Sequence, residues 1–237
     1  MGRTGIIGAM EEEVSLIKEK MEVEVVVKKA SMEFYQGTLN GREVVVVRSG
    51  IGKVNAGLCA QILVDVFHVS RLINTGIAGS LKAEINIGDI VLSSDAMQYD
   101  VDATTFGYAK GEIPRMGTLA FPADEELIGL AKAACEKACP EIGVFVGRVV
   151  TGDRFIAERS VKNEIADWTE GYCTEMEGAA IAQAAYLNRV PFVIVRAISD
   201  KADDSAAVDY PTFEREAIAH TVKLVEAFVD SIPEDLF

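Results

Sequence analysis

The sequence predicts an α/β fold, a three-layer sandwich with a central twisted mixed sheet flanked by helices. Three observations carry that prediction. β-branched runs alternate with segments of helical period, as Arg71 to Thr75 follows Lys53 to Phe67. Val193-Ile194-Val195-Arg196-Ala197-Ile198 is apolar at nearly every position, the pattern of a strand covered on both faces. Asn40-Gly41 stands between apolar runs, a hairpin signal that makes the front of the sheet antiparallel.

Taken in order, Thr4 to Ala9 reads as a strand and Glu11 to Lys20 as a helix whose three leading carboxylates suit the helix dipole. Glu22 to Ser49 supplies two or three antiparallel strands. Lys53 to Phe67 is a helix with Val54, Leu58, Ile62 and Val66 at spacing four. Strands at Arg71 to Thr75 and Asp89 to Ser94 follow, then a long loop from Tyr99 to Pro122 that carries Gly, Pro and aromatics. Helices are expected at Asp124 to Lys137, Ser160 to Trp168, Met176 to Asn188 and Pro211 to Val229, with strands at Gly143 to Val150 and Phe192 to Ile198. No linker demands a second domain, so 1–237 is read as one.

A chain of 237 residues that is 49% hydrophobic buries roughly 70–75% of its unfolded surface, enough for one large core. The net charge of −14 disfavours a nucleic-acid partner, which needs clustered Lys and Arg. Lys18, Lys20, Lys28 and Lys29 alternate with Glu and read as a solvated face. Four cysteines without a Cys-x-x-Cys pair, and only His68 and His220, give poor support to a metal site. Both histidines fall in expected helices and read as packing or surface residues. Reduced thiols, the lack of a signal-like amino terminus and the lack of a run of about 18 apolar residues lead to a cytoplasmic, non-membrane expectation.

Polar residues gather where strands end. Asp200 closes the run from Val193, at the strand end where open α/β sheets bind ligands, although Asp there also caps turns. Arg196 is a charge that a buried strand keeps only with a partner. Gly50-Ile51-Gly52-Lys53 fails as a phosphate loop because Val47 and Val54 stand where Gly and Ser or Thr are needed, and Gly57 is two positions late for a dinucleotide fingerprint. Gly76-Ile77-Ala78-Gly79-Ser80 is either a turn of positive φ or a place of close backbone approach. Of Glu11-Glu12-Glu13, the residue beside the inward face of Val14 and Ile17 is Glu13. Glu175-Met176-Glu177 opens an Ala-rich helix, where a carboxylate satisfies the dipole or accepts from two sugar hydroxyls.

With Gly8-Ala9-Met10-Glu11-Glu12-Glu13-Val14, Ser49-Gly50-Ile51-Gly52-Lys53-Val54-Asn55-Ala56, Asn74-Thr75-Gly76, Gly88-Asp89-Ile90-Val91, Phe106-Gly107-Tyr108, Glu175-Met176-Glu177 and Val195-Arg196-Ala197-Ile198-Ser199-Asp200, the chain resembles bacterial 5′-methylthioadenosine/S-adenosylhomocysteine nucleosidases of the nucleoside phosphorylase/hydrolase superfamily, in order over nearly its whole length. The resemblance implies that Asp200 protonates N7 of adenine, oriented by Ser199, and that Glu13 takes a proton from the attacking water, which Arg196 helps to place. It implies that Glu177 holds the ribose hydroxyls with Met176 against the sugar, that Phe155 stacks on adenine and that the backbone of Ile156 reads the base edge. Met10, Ile51, Phe106, Tyr108, Pro114 and Tyr210 then line the 5′-alkylthio pocket, part of it contributed by the second subunit of a homodimer. No cofactor or metal is implied. Many members carry Ser where Ile77 stands and Gly where Ser80 stands, so a hydroxyl contact to water or ribose is missing at 77.

A phosphorylase must hold a dianion beside the anomeric carbon, which calls for cationic groups or a bare helix amino terminus. This chain places Glu11-Glu12-Glu13 there, so water is the expected nucleophile. Two other readings stay open at this point: a nucleosidase for a neighbouring purine nucleoside such as 6-amino-6-deoxyfutalosine, and a catalytically silent nucleoside-binding protein.

Overall fold

Residues 2–233 and Leu236 are described by a computed structural model. The strand β1 (Thr4–Gly8) lies between two parallel neighbours, β4 (Arg42–Arg48) and β5 (Arg71–Ser80). Strands β2 (Glu22–Lys29), β3 (Met32–Leu39) and β4 form the expected antiparallel front. Asn40 and Gly41 have φ of 51° and 77°, the left-handed pair that a two-residue hairpin turn uses. On the other side β5 pairs in parallel with β10 (Phe192–Asp200), which runs antiparallel to β6 (Ile90–Gln98). From β6 the sheet passes in parallel through β8 (Val144–Thr151) to β9 (Cys173–Glu175), and β9 returns antiparallel to β5. Five strands thus close into a ring while β1, β4, β3 and β2 extend as open sheet; a short β7 (Phe121–Pro122) adds to β6.

Alternation along the strands assigns the layers. Ile6, Val46, Ile73, Val193 and Val195 pack with α1 (Glu11–Lys20), α3 (Glu125–Ala138) and α6 (Ala206–Ser231). Ile7, Val47, Leu72 and Ile194 pack on the opposite side with α2 (Lys53–Phe67) and α5 (Gly178–Asn188). The mixed three-layer architecture is the one the sequence predicts. A third cluster, with Leu81, Met97, Val150 and Ile156, lies under α4 (Arg159–Thr169). Asp124 begins α3 as its cap, accepting from the amides of Glu126 and Leu127 at 3.1 and 3.0 Å.

Several boundaries differ from the sequence reading. Of the two readings open for residues 76–80 the turn fails, because β5 runs on to Ser80, with Gly76 opposite Arg196 and Ile77 opposite Ala197. The glycines serve close approach instead, since a Cβ at Gly76 would collide with Arg196 Nη1 and Glu13 Oε1, and one at Gly79 would lie 2.8 Å from Asp200 Oδ1. Helix α5 begins at Gly178, which leaves Met176 and Glu177 ahead of it and Glu175 in β9. Helix α6 begins at Ala206, so Pro211 lies inside it. His68 is the left-handed cap that ends α2, not a helical residue. Helix α2 buries Ala56, Cys59, Ala60, Ile62, Leu63 and Phe67, so of the expected apolar row Val54, Leu58, Ile62 and Val66 only Ile62 faces inward and the other three face outward.

Candidate active site

The carboxyl ends of β1, β5 and β10 converge on one cavity of about 500 Å³, a size suited to a small organic ligand. Met10, Glu13, Ile51, Ile77, Phe155, Met176, Glu177, Ser199, Asp200 and Tyr210 all line it. A small recess sharing its wall at Asp200 is bounded by Gly79, Phe155, Ile156 and Thr174.

Glu13 reaches the cavity because it sits on the first turn of α1, on the side of Val14 and Ile17, while Glu11 and Glu12 stay exposed. Its side chain is only 2% exposed. One oxygen accepts from the amides of Ala9 (2.6 Å) and Met10 (3.0 Å), and the other from Ile77 (3.2 Å). Burial pushes its pKa up, and the charge of Arg196 together with those amides pulls against it.

Asp200, also 2% exposed, ends β10. Ser199 Oγ donates to its Oδ2 at 2.9 Å and the amide of Ala202 to its Oδ1 at 2.7 Å. Burial raises its pKa against those two bonds, with Asp209 and Asp203 adding to the rise. A carboxyl so placed is poised to carry a proton.

Glu177 precedes α5 and accepts from the amide of Gly52 at 2.8 Å. Burial, then the charge of Glu175, push its pKa up to about 7, with Arg196 opposing. Its remaining oxygen is 3.7 Å from Arg196 Nη2.

Arg196 is fully buried in β10, and its partners are now explicit. It donates to Glu175, in a short contact, and to Asn74 Oδ1 at 2.7 Å. Burial works against its charge, but Glu175, Glu177 and Glu13 hold its pKa above the ordinary arginine value. The sequence reading missed Glu175, Asn74 and Thr151. Glu175 neutralises Arg196 and also accepts from the amides of Glu177 (3.1 Å) and Gly178 (2.7 Å), while Thr151 hydrogen-bonds to Glu175 and accepts from Ala179 at 2.8 Å. Asn74 was visible as a polar residue directly after the apolar pair Leu72-Ile73; Glu175 was visible as a second carboxylate two positions before Glu177.

Phe155 is half exposed and meets the Tyr210 ring edge-on at 5.7 Å. Ile156 is buried beside it. Phe106, Tyr108 and Pro114 do not line the cavity, and Phe106 is 82% exposed on a short 3-10 turn. Among the described residues no group of three or more His, Cys, Asp and Glu has metal-holding geometry.

A mixed sheet closed at one end, with three inward carboxyl groups at its strand ends, defines the class: the sequence profile of the Phosphorylase superfamily matches residues 3–230, and the chain belongs to that superfamily. Within it the similarity is to the 5′-methylthioadenosine/S-adenosylhomocysteine nucleosidases. The Staphylococcus carnosus nucleosidase of that name is 40% identical over 229 residues, 96% of this chain and 99% of that protein. The crystal structure of the Colwellia psychrerythraea nucleosidase in complex with adenine matches with a TM-score of 0.95 at 37% identity, over 100% of this chain and 98% of that one. The native futalosine hydrolase of Helicobacter pylori matches with a TM-score of 0.92 at 29% identity, over 98% of each chain.

Proposed function

We infer that the protein is an N-glycosyl hydrolase, cleaving 5′-methylthioadenosine and S-adenosylhomocysteine to adenine and the 5′-thioribose product. The observation that carries this reading is the meeting of Glu13, Glu177 and Asp200, from three separate elements, around one cavity with Arg196 beneath it, in a chain 40% identical to a nucleosidase for these substrates.

In the proposed mechanism, adenine sits against Phe155 with its polar edge toward the Ile156 backbone, and N7 faces Asp200. Protonation of N7 by Asp200 lets the base leave with the glycosidic electron pair. Positive charge develops on the sugar, where nearby carboxylates stabilise it. Water adds to the anomeric carbon as Glu13 removes its proton, and Arg196, buried beneath the cavity wall, acts through its charge on Glu13. Ile77 donates its backbone amide to Glu13 and so helps to orient the base. Glu177 accepts from the ribose hydroxyls, and Met176 packs against the sugar. Met10, Ile51 and Tyr210 hold the 5′ group, with Phe106, Tyr108 and Pro114 supplied across a homodimer interface. That interface is proposed to use the outward apolar side of α2 and α5, where Val54 is 82% exposed and Leu58, Val66, Tyr186 and Leu187 also stand open. A cytoplasmic location and a single catalytic domain belong to the same proposal, and the four free cysteine thiols fit a reducing compartment.

Glu177→Gln is expected to raise KM and lower kcat, each by about tenfold, because a charge-assisted contact to the sugar is lost in both ground and transition state. Steady-state kinetics on methylthioadenosine checks it, and a change confined to kcat would remove Glu177 from substrate binding.

The likeness to futalosine hydrolase makes 6-amino-6-deoxyfutalosine the alternative substrate. Adenine release from methylthioadenosine, S-adenosylhomocysteine and that nucleoside, compared by kcat/KM, decides between them. The two thio-nucleosides are expected to be preferred. Preference for the third overturns the substrate assignment, and calorimetric binding without turnover of any would make the protein a silent binder.

A further inference from the structure

The Gly50-Ile51-Gly52-Lys53 turn is not a phosphate loop, and the chemistry above leaves its lysine unused. Lys53 Nζ lies 2.6 Å from Asp100 Oδ1 and donates to Gln98 Oε1 at 3.1 Å. The other oxygen of Asp100 accepts from the amide of Asp153 at 3.0 Å, and Asp153 Oδ1 accepts from the backbone amide of Lys53 at 2.9 Å. Three residues from three segments therefore close a ring of hydrogen bonds. One position before Lys53, the amide of Gly52 holds Glu177, and two positions after Asp153 stands Phe155. Gly52 has φ of 96°, a backbone state that glycine adopts without strain and that turns its amide toward Glu177.

We propose that Lys53 is a positioning residue for substrate binding, its ammonium locking Asp100 and, through it, Asp153, so that the sugar-side Glu177 and the base-side Phe155 are held at a fixed spacing. The inference rests on the nucleosidase reading of the cavity. An ammonium suits this place because one compact charge with three donors satisfies two acceptors at the end of β6 and the start of the following loop. The pair is partly open to solvent, so it adds little to folding, and its effect falls on the geometry of the ligand walls. Loss of the ammonium leaves the Asp100 carboxylate without its cation and loosens the Asp100 contact that holds the Asp153 amide, while the bond from the Lys53 backbone amide to Asp153 remains.

The test compares Lys53→Met, Lys53→Arg, Asp100→Ala and the Lys53→Met/Asp100→Ala pair with the unaltered protein, using steady-state kinetics on methylthioadenosine, calorimetric binding of adenine and thermal melting. Lys53→Met is expected to raise KM about tenfold with kcat changed less than about threefold, and to weaken adenine binding. Lys53→Arg is expected to recover most of the loss. The double variant is expected to be no worse than either single one, since both remove the same ring. Unchanged KM and adenine affinity in Lys53→Met, additive losses in the double variant, or a collapse in melting temperature that Arg fails to restore would each overturn the proposal. The unaltered protein is the separate control: if it releases no adenine, the nucleosidase reading fails, whereas full activity beside an unaffected Lys53→Met overturns the role of Lys53 alone.

Discussion

Asp200→Asn is expected to give a protein that binds methylthioadenosine with nearly unchanged affinity and cleaves it about 10²–10⁴-fold more slowly, the usual worth of a general acid. The substitution keeps size and the acceptor for Ala202 but removes the proton that N7 needs. The sign of the pH dependence follows. An acid works only while protonated, so kcat/KM should fall as pH rises through the Asp200 pKa, which burial holds above the ordinary aspartate value. In the Asn variant that limb should disappear. Single-turnover kinetics with a separate binding measurement checks both points, and an Asn variant with undiminished turnover would remove Asp200 as the acid.

Glu13→Gln is expected to cost turnover by a similar factor, about 10²–10⁴-fold, while affinity changes little. The amide keeps an acceptor for neighbouring N–H groups, yet it cannot take a proton from water. Here the limb has the opposite sign: Glu13 must be ionised, so activity should fall as pH drops through its pKa. Two carboxyl groups in one cavity can take opposite roles because their surroundings differ. Glu13 has the Arg196 charge and three amide donors on its ionised form. Asp200 has one amide and one hydroxyl, with Asp209 and Asp203 adding negative charge. The first set favours the base and the second the acid. A Glu13→Gln variant whose KM rises while kcat holds would reassign Glu13 to binding.

Much of this site was legible because it lies at strand ends. Dipole arguments accounted for Glu11 and Glu12 and left Glu13, beside Val14 and Ile17, as the inward residue, which is where the structure places it. The strand carrying Arg196 was evident from its apolar run, and α2 was bounded correctly at Lys53 and Phe67. What escaped the sequence depends on contacts distant along the chain. Closure of five strands into a ring is made by the three-residue β9, too short to show a period. Residues 76–80 could be either a turn or a crowded backbone, because glycine marks both, and only Arg196 and Glu13, packed over Gly76, decide between them. Helix α2 carries two apolar rows, and periodicity does not tell which row meets the sheet; the row rich in small residues does, leaving Val54 and Leu58 outward. Glu175 read as a helix-start carboxylate until Arg196 was placed beside it.

The central claim is that water attacks the sugar after Asp200 protonates the base, and product analysis in phosphate-free buffer tests it most directly. The predicted result is stoichiometric adenine and free methylthioribose at a rate that added phosphate leaves unchanged. Adenine formed only after phosphate is supplied, with the sugar recovered as its 1-phosphate, would contradict it.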